Sequence, residues 1–343
     1  MVIIYNLRHG RKEREVMPRQ ARLDAPGTLH HVVIRGIERG RIVEDDQDRR
    51  SFVSRLGNLA QETETSIYAW SLMTNHAHML LRSGPSGLPK FMRRLLTGYS
   101  VTYNLRHHRS GHLFQNRYRS VVCDGDVYFA ELVRYIHLNP LRAGLVGTLS
   151  ELDSYPWSGH AVLMGRVKHG WQGREYVLLW FGKGVGEGRR AYRRYMEEGV
   201  AQGSRPDLVG GGLVRSYGGW SAVLSLRRKG EEVETTDARV LGKGDFVERV
   251  LREGARWSLH PMRQKEWRRR ISKIIEETCS ERGVKVEEVR MGSRRGQIPG
   301  VRAEIVGELV RELGVPLAEV ARVVGVSTSA VSKILMRRYS NST

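Results

Sequence analysis

The stretch SLMTNHAHMLL, residues 71–81, carries two histidines, His76 and His78, inside an otherwise apolar segment. Alternate side chains of a β-strand point to the same face, so the two imidazoles are expected to project together, away from Ala77 and Met79. Two adjacent imidazoles can share one divalent cation. Two ligands are too few for a closed structural site, so the cation site would be open. Two partly exposed histidines with a purely structural role are the alternative interpretation.

The segment RYIHLNP, residues 134–140, offers a third ligand and a nucleophile. Four residues of helix make about 400° of rotation, which predicts that Tyr135 and Asn139 share one face. An Asn carbonyl is a suitable ligand for Mg²⁺ or Mn²⁺, and a tyrosine hydroxyl beside a metal is a nucleophile for phosphate. A ring that only packs in the core is the alternative for Tyr135. Pro140 is expected to end the helix.

The order of elements around these two segments predicts an α+β fold. The predicted order is a strand, a helix, a region that is either two strands or one bent strand, a helix, a strand and a helix. This order suits a ferredoxin-like antiparallel sheet with helices packed on one face. The predicted elements are, in that order, 29–36, 45–63, 66–83, 88–108, 112–123 and 126–140.

The charge distribution indicates a polyanionic partner. The 343 residues include 57 Lys or Arg and 37 Asp or Glu, a net charge of +20. The excess lies at both ends: 22 basic and 13 acidic side chains in residues 1–150, 16 and 13 in 151–250, and 19 and 11 in 251–343. Two separate surfaces for nucleic acid are therefore expected. An Arg-rich protein that is merely soluble is the alternative.

The compartment is expected to be reducing and free of membrane. The two cysteines, Cys123 and Cys279, are far apart in the sequence and give no CxxC metal motif,. No apolar run approaches the roughly 20 residues of a membrane span, and the N-terminus does not read as a signal peptide. We expect a cytoplasmic, nucleoid-associated bacterial protein that is a monomer or a homodimer.

Several motifs together resemble one family. PGTLHHVVIRGIERGRIVEDD, YAWSLMTNHAHMLL, RSGHLFQNRYRS, YIHLNPLRAGLV and SYPWSG follow one another at a spacing similar to that of the REP-associated tyrosine transposases, a branch of the single-tyrosine HUH transposases. The resemblance covers about residues 20–230. Phe114 stands where Trp is usual in the family and Asn116 where Gly is common, departures that bear on packing rather than on chemistry.

The resemblance implies roles for named residues. It makes His76, His78 and Asn139 the ligands of Mg²⁺ or Mn²⁺ and Tyr135 the nucleophile in an HUH nuclease fold. The implied activity is cleavage of single-stranded DNA, often beside a hairpin, with a 5′-phosphotyrosine intermediate that another 3′-OH resolves by strand transfer. Four other tyrosines, each without an Asn one turn later, are interpreted as packing or DNA-stacking groups: Tyr99, Tyr103, Tyr118 and Tyr128. Five arginines are candidate phosphate contacts: Arg35, Arg39, Arg117, Arg119 and Arg142.

The C-terminal region is predicted to be all α, with a helix-turn-helix at 317–338. Ala321, Gly325 and Val331 fall where two helices that cross closely need small or apolar residues. Ser327, Thr328, Ser329 and Lys333 are then expected on the recognition helix, facing duplex DNA. Residues 268–336 resemble the DNA-binding domain of the replication initiator DnaA, although STSAVSK replaces its Asp-His-Ser-Thr-Val signature. A helical protein-interaction bundle is the alternative.

These features predict four segments: a basic N-terminal arm (1–20), an HUH transposase domain (21–165), a family extension and linker (166–244) and a helix-turn-helix domain (245–343). The favoured function is a DNA strand transferase. A domesticated, non-catalytic DNA-binding protein on a transposase scaffold is the first rival. A metal-dependent hydrolase of small phosphoesters is the second, but it would need neither the basic ends nor a helix-turn-helix.

Overall fold

The computed structural model describes most of the chain from residue 23 to residue 340, together with a pair of short strands near the N-terminus. The described ranges are 3–5, 14–16, 23–115, 118–203, 208, 237, 239–242, 244–258, 263–311, 313, 315 and 317–340. The predicted irregular arm therefore contains β1 (Ile3–Tyr5) and β2 (Arg14–Val16), which pair antiparallel. The Gly-rich stretches between 209 and 236 lie outside the described residues.

A five-stranded sheet organises the N-terminal half. Its strands are β3 (Leu29–Arg35), β4 (Ser66–Leu72), β5 (His76–Arg82), β6 (Arg119–Cys123) and β7 (Val240–Leu241). The order across the sheet is β4-β5-β3-β6-β7. The four strands from β3 to β6 pair antiparallel with one another, and with their helices they give the predicted ferredoxin-like connectivity. The parallel strand β7 is an addition at the edge that was not predicted.

Helices cover both faces of this sheet, so the prediction of one covered face was wrong. On one face lie α1 (Asp46–Glu62) and α2 (Leu88–Arg106), whose Phe52, Leu56 and Phe91 pack with Val32 and Met79. On the other lies α3 (Gly125–His137), whose Phe129, Leu132 and Ile136 pack with Leu80 and Val121. The central strands are apolar on both sides because both faces of the sheet are buried. A sheet with one exposed face would instead show alternating apolar and polar residues along each strand.

Two predicted boundaries changed. The segment 112–123 is a strand only from Arg119, although Phe114 forms an isolated bridge with Gly36. The helix predicted to reach Pro140 ends at His137, and Asn139 begins a separate turn, α4 (Asn139–Arg142). Pro140 has no N–H to donate to the Ile136 carbonyl four residues earlier, and its ring crowds that carbonyl, so the helical ladder is interrupted before the proline is reached.

Four helices follow α4 and complete the second face. They are α5 (Leu149–Ser154), α6 (Gly159–Leu163), α7 (Arg174–Leu178) and α8 (Val185–Val200). Tyr192 and Met196 of α8 are fully buried in the same apolar cluster as Phe129 and Leu132 of α3. The described part of residues 166–244 therefore adds to the core beneath α3. The four predicted segment boundaries themselves stay predictions.

The C-terminal region is helical, as predicted. Its helices are α9 (Gly244–Ser258), α10 (Arg263–Glu281), α11 (Val286–Arg290), α12 (Ile298–Arg311), α13 (Leu317–Val323) and α14 (Thr328–Ser340). Between α13 and α14 the chain turns at Gly325, with Ala321 and Val331 buried on either side. Within the described part of the chain, no helix has the length and apolarity to cross a membrane.

Gly325 is required by this turn. Its φ is +66°, and a Cβ there would lie 1.9 Å from the Arg290 carbonyl oxygen. The buried Arg302 donates to the carbonyls of Val324 and Val289 at 2.9 and 3.1 Å, which ties the turn to α11. The turn therefore has no room for a larger residue.

We expect Gly325→Ala to destabilise the C-terminal helices by about 1–3 kcal/mol from the left-handed backbone alone, with the steric clash in addition. Gly300→Ala is the matched control, because Gly300 lies exposed on α12 with open space at its Cβ position. That change should stabilise by roughly 0.5–1 kcal/mol. Urea titration, with hydrogen–deuterium exchange of peptides from 298–340, measures both. Equal stability of the two variants would contradict the close approach at Gly325.

Candidate functional site

Three imidazoles meet on the α3 face of the sheet. His78 pairs with Val33 and His76 with Arg35 across β5 and β3, and His31 lies diagonally opposite His78 on the same face,. The His76 and His78 ring centroids are 5.2 Å apart, as the strand alternation predicted. The His31 and His78 rings are stacked at 5.3 Å, with His31 Nε2 3.0 Å from His78 Nδ1. The cluster is therefore a row of three histidines.

Burial keeps these imidazoles neutral. It lowers the pKa of His31 to about 4 and, with help from the Arg35 charge, the pKa of His76 to about 4. Burial also holds the pKa of His78 well below its usual value, and the neighbouring His31, His76 and Arg35 add to the effect. A neutral imidazole keeps one nitrogen lone pair, the form in which histidine binds a metal. All three rings are thus in the metal-binding state at neutral pH.

Tyr135 lies against this row. It projects from α3, and its ring sits edge-on to both His31 and His78, with each pair of centroids 5.8 Å apart. The Arg142 guanidinium carbon lies 5.7 Å from the Tyr135 ring centroid. Tyr135 is only half-buried. The structure therefore brings Tyr135 together with His78, and adds a cation beside its ring.

Asn139 is placed differently from its prediction. It lies beyond the helix break, at the first position of α4, rather than one turn further along a continuous helix. Its side-chain Nδ2 donates to the Ile136 carbonyl at 3.3 Å, the carbonyl that Pro140 leaves without its helical donor. That bond occupies the amide nitrogen and leaves Oδ1 as the atom for a cation. The role of Asn139 as a ligand stays a prediction.

The donor set suits a hard divalent cation with open coordination positions. His76 Nδ1 is bonded to Asn75 Oδ1 at 2.6 Å, which leaves Nε2 as the lone pair of that ring. Neutral imidazole nitrogens and an amide oxygen are ligands that Mg²⁺ and Mn²⁺ accept. In the part of the chain that the structure covers, no group of three or more His, Cys, Asp or Glu side chains is arranged to hold a metal ion. The predicted ligands His76, His78 and Asn139 offer the imidazole nitrogens and amide oxygen that such cations accept.

A buried polar network holds α3 in place. The Tyr192 hydroxyl of α8 lies 2.8 Å from His137 Nδ1 on α3 and 2.6 Å from His160 Nδ1. His160 Nε2 in turn donates to Asp153 at 2.8 Å, and Arg193 donates to the same carboxylate at 2.9 Å. A network of this kind fixes the groups it joins. Residues far beyond Tyr135 in the sequence therefore fix the helix that carries it.

Three of the four competing tyrosines are buried in the core, and the fourth is half-buried against the apolar cluster under α3. The buried Tyr99 hydroxyl donates to the Ile42 carbonyl at 2.6 Å. Tyr103 donates to Glu44 at 2.9 Å, and burial with that bond raises the pKa of Tyr103 to about 12. Tyr118 is buried, and the half-buried Tyr128 packs against the apolar cluster under α3. Each of these positions agrees with the packing roles expected for them.

The predicted phosphate contacts divide into three groups. Arg35 and Arg119 are exposed at the ends of β3 and β6, and their charges act on His76 and His31, respectively. Arg142 lies beside Tyr135 and donates to the Gly199 carbonyl at 3.5 Å. Arg39 is exposed in the loop after β3, where it has a positive φ of 62°. Arg117 lies outside the described residues. Arg35, Arg119 and Arg142 thus surround the histidine row.

The residues predicted to contact duplex DNA are less exposed to solvent than expected. Ser327, Thr328 and Ser329 are half-buried and line a small cavity together with Thr28 and Asp126 of the N-terminal half. Lys333 is exposed. A wider cavity of about 2530 Å³ lies between the two halves and is rich in basic side chains, among them Arg174, Arg189, Arg294, Arg295 and Arg337. Positive charge therefore lines the junction as well as the face that carries the histidine row.

Sequence reasoning missed His31. The signal was present in LHHVV, since one of two consecutive histidines on a strand must face each side of the sheet. Choosing between His30 and His31 required the register of β3 against β5, which joins residues almost fifty positions apart. Leu208, whose carbonyl bonds to His31, was missed for the same reason, whereas Asn75 directly precedes His76 and its bond to that ring was missed although the two are neighbours in the sequence.

Comparison with known proteins finds a similar family for the residues that form this site. Residues 27–139 match the family model described as “Transposase IS200 like”. The chain is also similar to a solved structure described as “Structure of the REP associates tyrosine transposase bound to a REP hairpin”. The identity is 16%, the alignment covers 45% of this chain and 91% of that chain, and the TM-score is 0.37. No curated protein matches the chain significantly. The matched residues include all three histidines, Tyr135 and Asn139, so this part of the chain is similar to an IS200-like transposase.

Proposed function

We propose that the protein cleaves single-stranded DNA and transfers the cut strand through a covalent bond to Tyr135. One observation carries the proposal: the Tyr135 ring lies against the imidazole row of His31 and His78, 5.8 Å from each. Among the described tyrosines that compete for this role, Tyr135 alone combines partial exposure with neighbouring histidines and a guanidinium. The match of residues 27–139 to a transposase family supports the same reaction class.

The arginines and Tyr135 have separate roles in the proposed reaction. Arg35, Arg119 and Arg142 attract and orient the phosphate backbone at the histidine row. The Tyr135 oxygen attacks the phosphorus as its proton leaves, the bond from phosphorus to the 3′-oxygen breaks, and that oxygen takes up a proton. The products are a 5′-phosphotyrosine and a free 3′-OH. Attack by another 3′-OH reverses these bond changes and joins the strands without ATP.

His76, His78 and Asn139 would hold the Mg²⁺ or Mn²⁺. When bound, the ion supplies Lewis-acid stabilisation of the negative charge on the scissile phosphate. The protein's own contribution is to keep both imidazoles neutral through burial and to hold Tyr135 on a helix fixed by the Tyr192 network. The neutral imidazoles and the fixed position of Tyr135 are both features of the folded protein in the absence of DNA.

Hairpin DNA is the proposed substrate class. The similar solved structure is described as bound to a REP hairpin, and exposed cations around the histidine row fit a flexible single-stranded backbone beside such a hairpin. The test is to incubate the full chain and Mn²⁺ with hairpin-bearing single strands from the flanking genome, and to look for a denaturation-resistant adduct. Tight DNA binding without any adduct would contradict the proposal and favour a non-catalytic DNA-binding protein. Hydrolysis of small phosphoesters without DNA binding would favour a hydrolase.

We further propose that α13 and α14 bind duplex DNA. Deletion of residues 245–343 should spare cleavage of short single-stranded hairpins and weaken duplex binding. The salt dependence of duplex binding should become shallower by about 0.9 in log–log slope for each DNA phosphate that the shortened protein no longer neutralises. The deletion also removes the packing of Ser327–Ser329 near Thr28 and Asp126. Lys333→Ala is therefore the cleaner variant, since Lys333 is exposed.

Gel-shift titrations at several salt concentrations, with single-stranded and duplex DNA, measure both changes. We expect Lys333→Ala to weaken duplex binding only. Equal weakening on the two DNA forms would mean that the two basic ends make one continuous surface, and it would contradict two separate modules.

A further inference from the structure

Two chains of hydrogen bonds run from the histidine row to main-chain carbonyls. The first joins His78 Nδ1 to His31 Nε2 at 3.0 Å and His31 Nδ1 to the Leu208 carbonyl oxygen at 3.3 Å. The second joins His76 Nδ1 to Asn75 Oδ1 at 2.6 Å and Asn75 Nδ2 to the Arg39 carbonyl oxygen at 3.0 Å. Each chain of hydrogen bonds ends on a carbonyl oxygen, which can accept a hydrogen bond but cannot donate one.

The end of each chain sets the direction of every bond in it. Because the Leu208 oxygen is an acceptor, His31 Nδ1 must carry the proton that it shares. His31 is 1% exposed, and a charged imidazole would lose its solvation there,, so the ring is neutral and its Nε2 has a lone pair that accepts. His78 Nδ1 must then be the donor, and the lone pair of that ring is on Nε2. The tautomer of His78 thus follows from the network around it.

The second chain gives the same result for His76. The Asn75 amide nitrogen donates to the Arg39 carbonyl, so Oδ1 is the atom that faces His76 and it accepts the Nδ1 proton. The reverse direction in either chain would set two lone pairs against each other at hydrogen-bond distance. Both candidate ligands therefore have the same protonation pattern, with Nδ1–H toward the protein and a lone pair on Nε2.

We propose that His31 and Asn75 are positioning residues that lock His78 and His76 in the Nδ1–H tautomer and so make Nε2 of each ring the metal-binding atom. The inference rests on the proposed function for the presence of the metal, but the tautomers themselves do not. Partners that orient a metal-ligating imidazole typically change metal affinity by about 10–100-fold when they are removed. His31 is the stronger case because it is 1% exposed and bonds to His78 inside the core.

The first experiment measures the tautomers in the full-length, metal-free parent. Long-range ¹H–¹⁵N correlation spectra of ¹⁵N-histidine-labelled protein distinguish a protonated ring nitrogen from a lone-pair nitrogen, and single His→Gln variants assign the signals. We expect protonated Nδ1 and lone-pair Nε2 for both His76 and His78. Protonation of His78 at Nε2 in the parent would overturn the inference.

The second experiment measures Mn²⁺ affinity without DNA, by electron paramagnetic resonance of the free ion. His31→Leu removes the acceptor for His78 and should weaken Mn²⁺ binding by about 10–100-fold while shifting His78 toward the Nε2–H form. His31→Gln offers Oε1 as an acceptor and should keep the parent's tautomer and affinity. Unchanged Mn²⁺ affinity in His31→Leu would contradict the positioning role.

Failure of the inference and failure of the proposed function give different results. A parent that forms the DNA adduct but protonates His78 at Nε2 overturns the inference and leaves the function in place. A parent with both rings in the Nδ1–H form that binds no Mn²⁺ supports the tautomer lock and contradicts the metal site. Loss of affinity in His31→Gln as well as His31→Leu, with His78 still in the Nδ1–H form in both, would assign His31 to packing and overturn its positioning role.

Discussion

The Tyr135→Phe variant is expected to form no covalent DNA adduct and to retain its fold and its affinity for DNA. The substitution removes one oxygen from an otherwise isosteric ring. That ring keeps its edge contacts with His31 and His78 and its place beside Arg142, so the sheet face should not repack. Without the hydroxyl the ring at position 135 has no atom that can form the phosphodiester bond to the 5′-phosphate, and the loss should be complete rather than partial.

Tyr128→Phe is the matched control, because Tyr128 lies on the same helix, is half-buried and packs against the apolar cluster. Its adduct yield should equal that of the parent in a denaturing gel with labelled hairpin DNA. An undiminished adduct in Tyr135→Phe would remove Tyr135 from the mechanism and turn attention to Tyr99, Tyr103, Tyr118 and Tyr128, three of which are buried.

The His76→Ala and His78→Ala variants are expected to lose cleavage, and EDTA should have the same effect on the parent. Lewis-acid stabilisation of a phosphoryl oxygen is worth several kcal/mol, and about 1.4 kcal/mol corresponds to a tenfold change in rate. Rates should therefore fall by roughly a hundredfold or more. Removing one imidazole also leaves too few protein ligands to hold a weakly bound hard cation.

His112→Ala is the control for the loss of a histidine, since His112 is exposed and lies outside the imidazole row. Its single-turnover rate should match that of the parent, and added Mn²⁺ should restore the parent after EDTA but not the His76→Ala variant. Full cleavage in EDTA would show that the two histidines act in packing or proton transfer and not as metal ligands.

Local patterns were enough to predict half of the site. The HAH alternation placed His76 and His78 on one face, and the apolar spacing around RYIHLNP placed Tyr135 on a helix. Both depend on repeat distances of two or about four residues, which the sequence displays directly. The predicted end of this helix was wrong, because apolar spacing does not show where a proline interrupts the hydrogen bonds. Asn139 begins a new turn because Pro140 has no N–H to donate to the Ile136 carbonyl.

Contacts between distant segments could not be predicted in this way. His31 meets His78 through the pairing of β3 with β5, and its other nitrogen reaches Leu208, 177 residues further along the chain. The same is true of the Tyr192 network, in which α8 holds the helix that carries Tyr135. The second covered sheet face, which corrects the prediction of one, also arises from segments far apart in sequence.

The identity of the residue joined to DNA tests the central claim most directly. Trypsin should release the peptide YIHLNPLR, residues 135–142, in which Tyr135 is the single tyrosine. After reaction with Mn²⁺ and hairpin DNA, nuclease trimming and mass spectrometry should find this peptide carrying a nucleotide through its 5′-phosphate. A nucleotide on any other peptide, or a linkage through a 3′-phosphate, would contradict strand transfer through Tyr135.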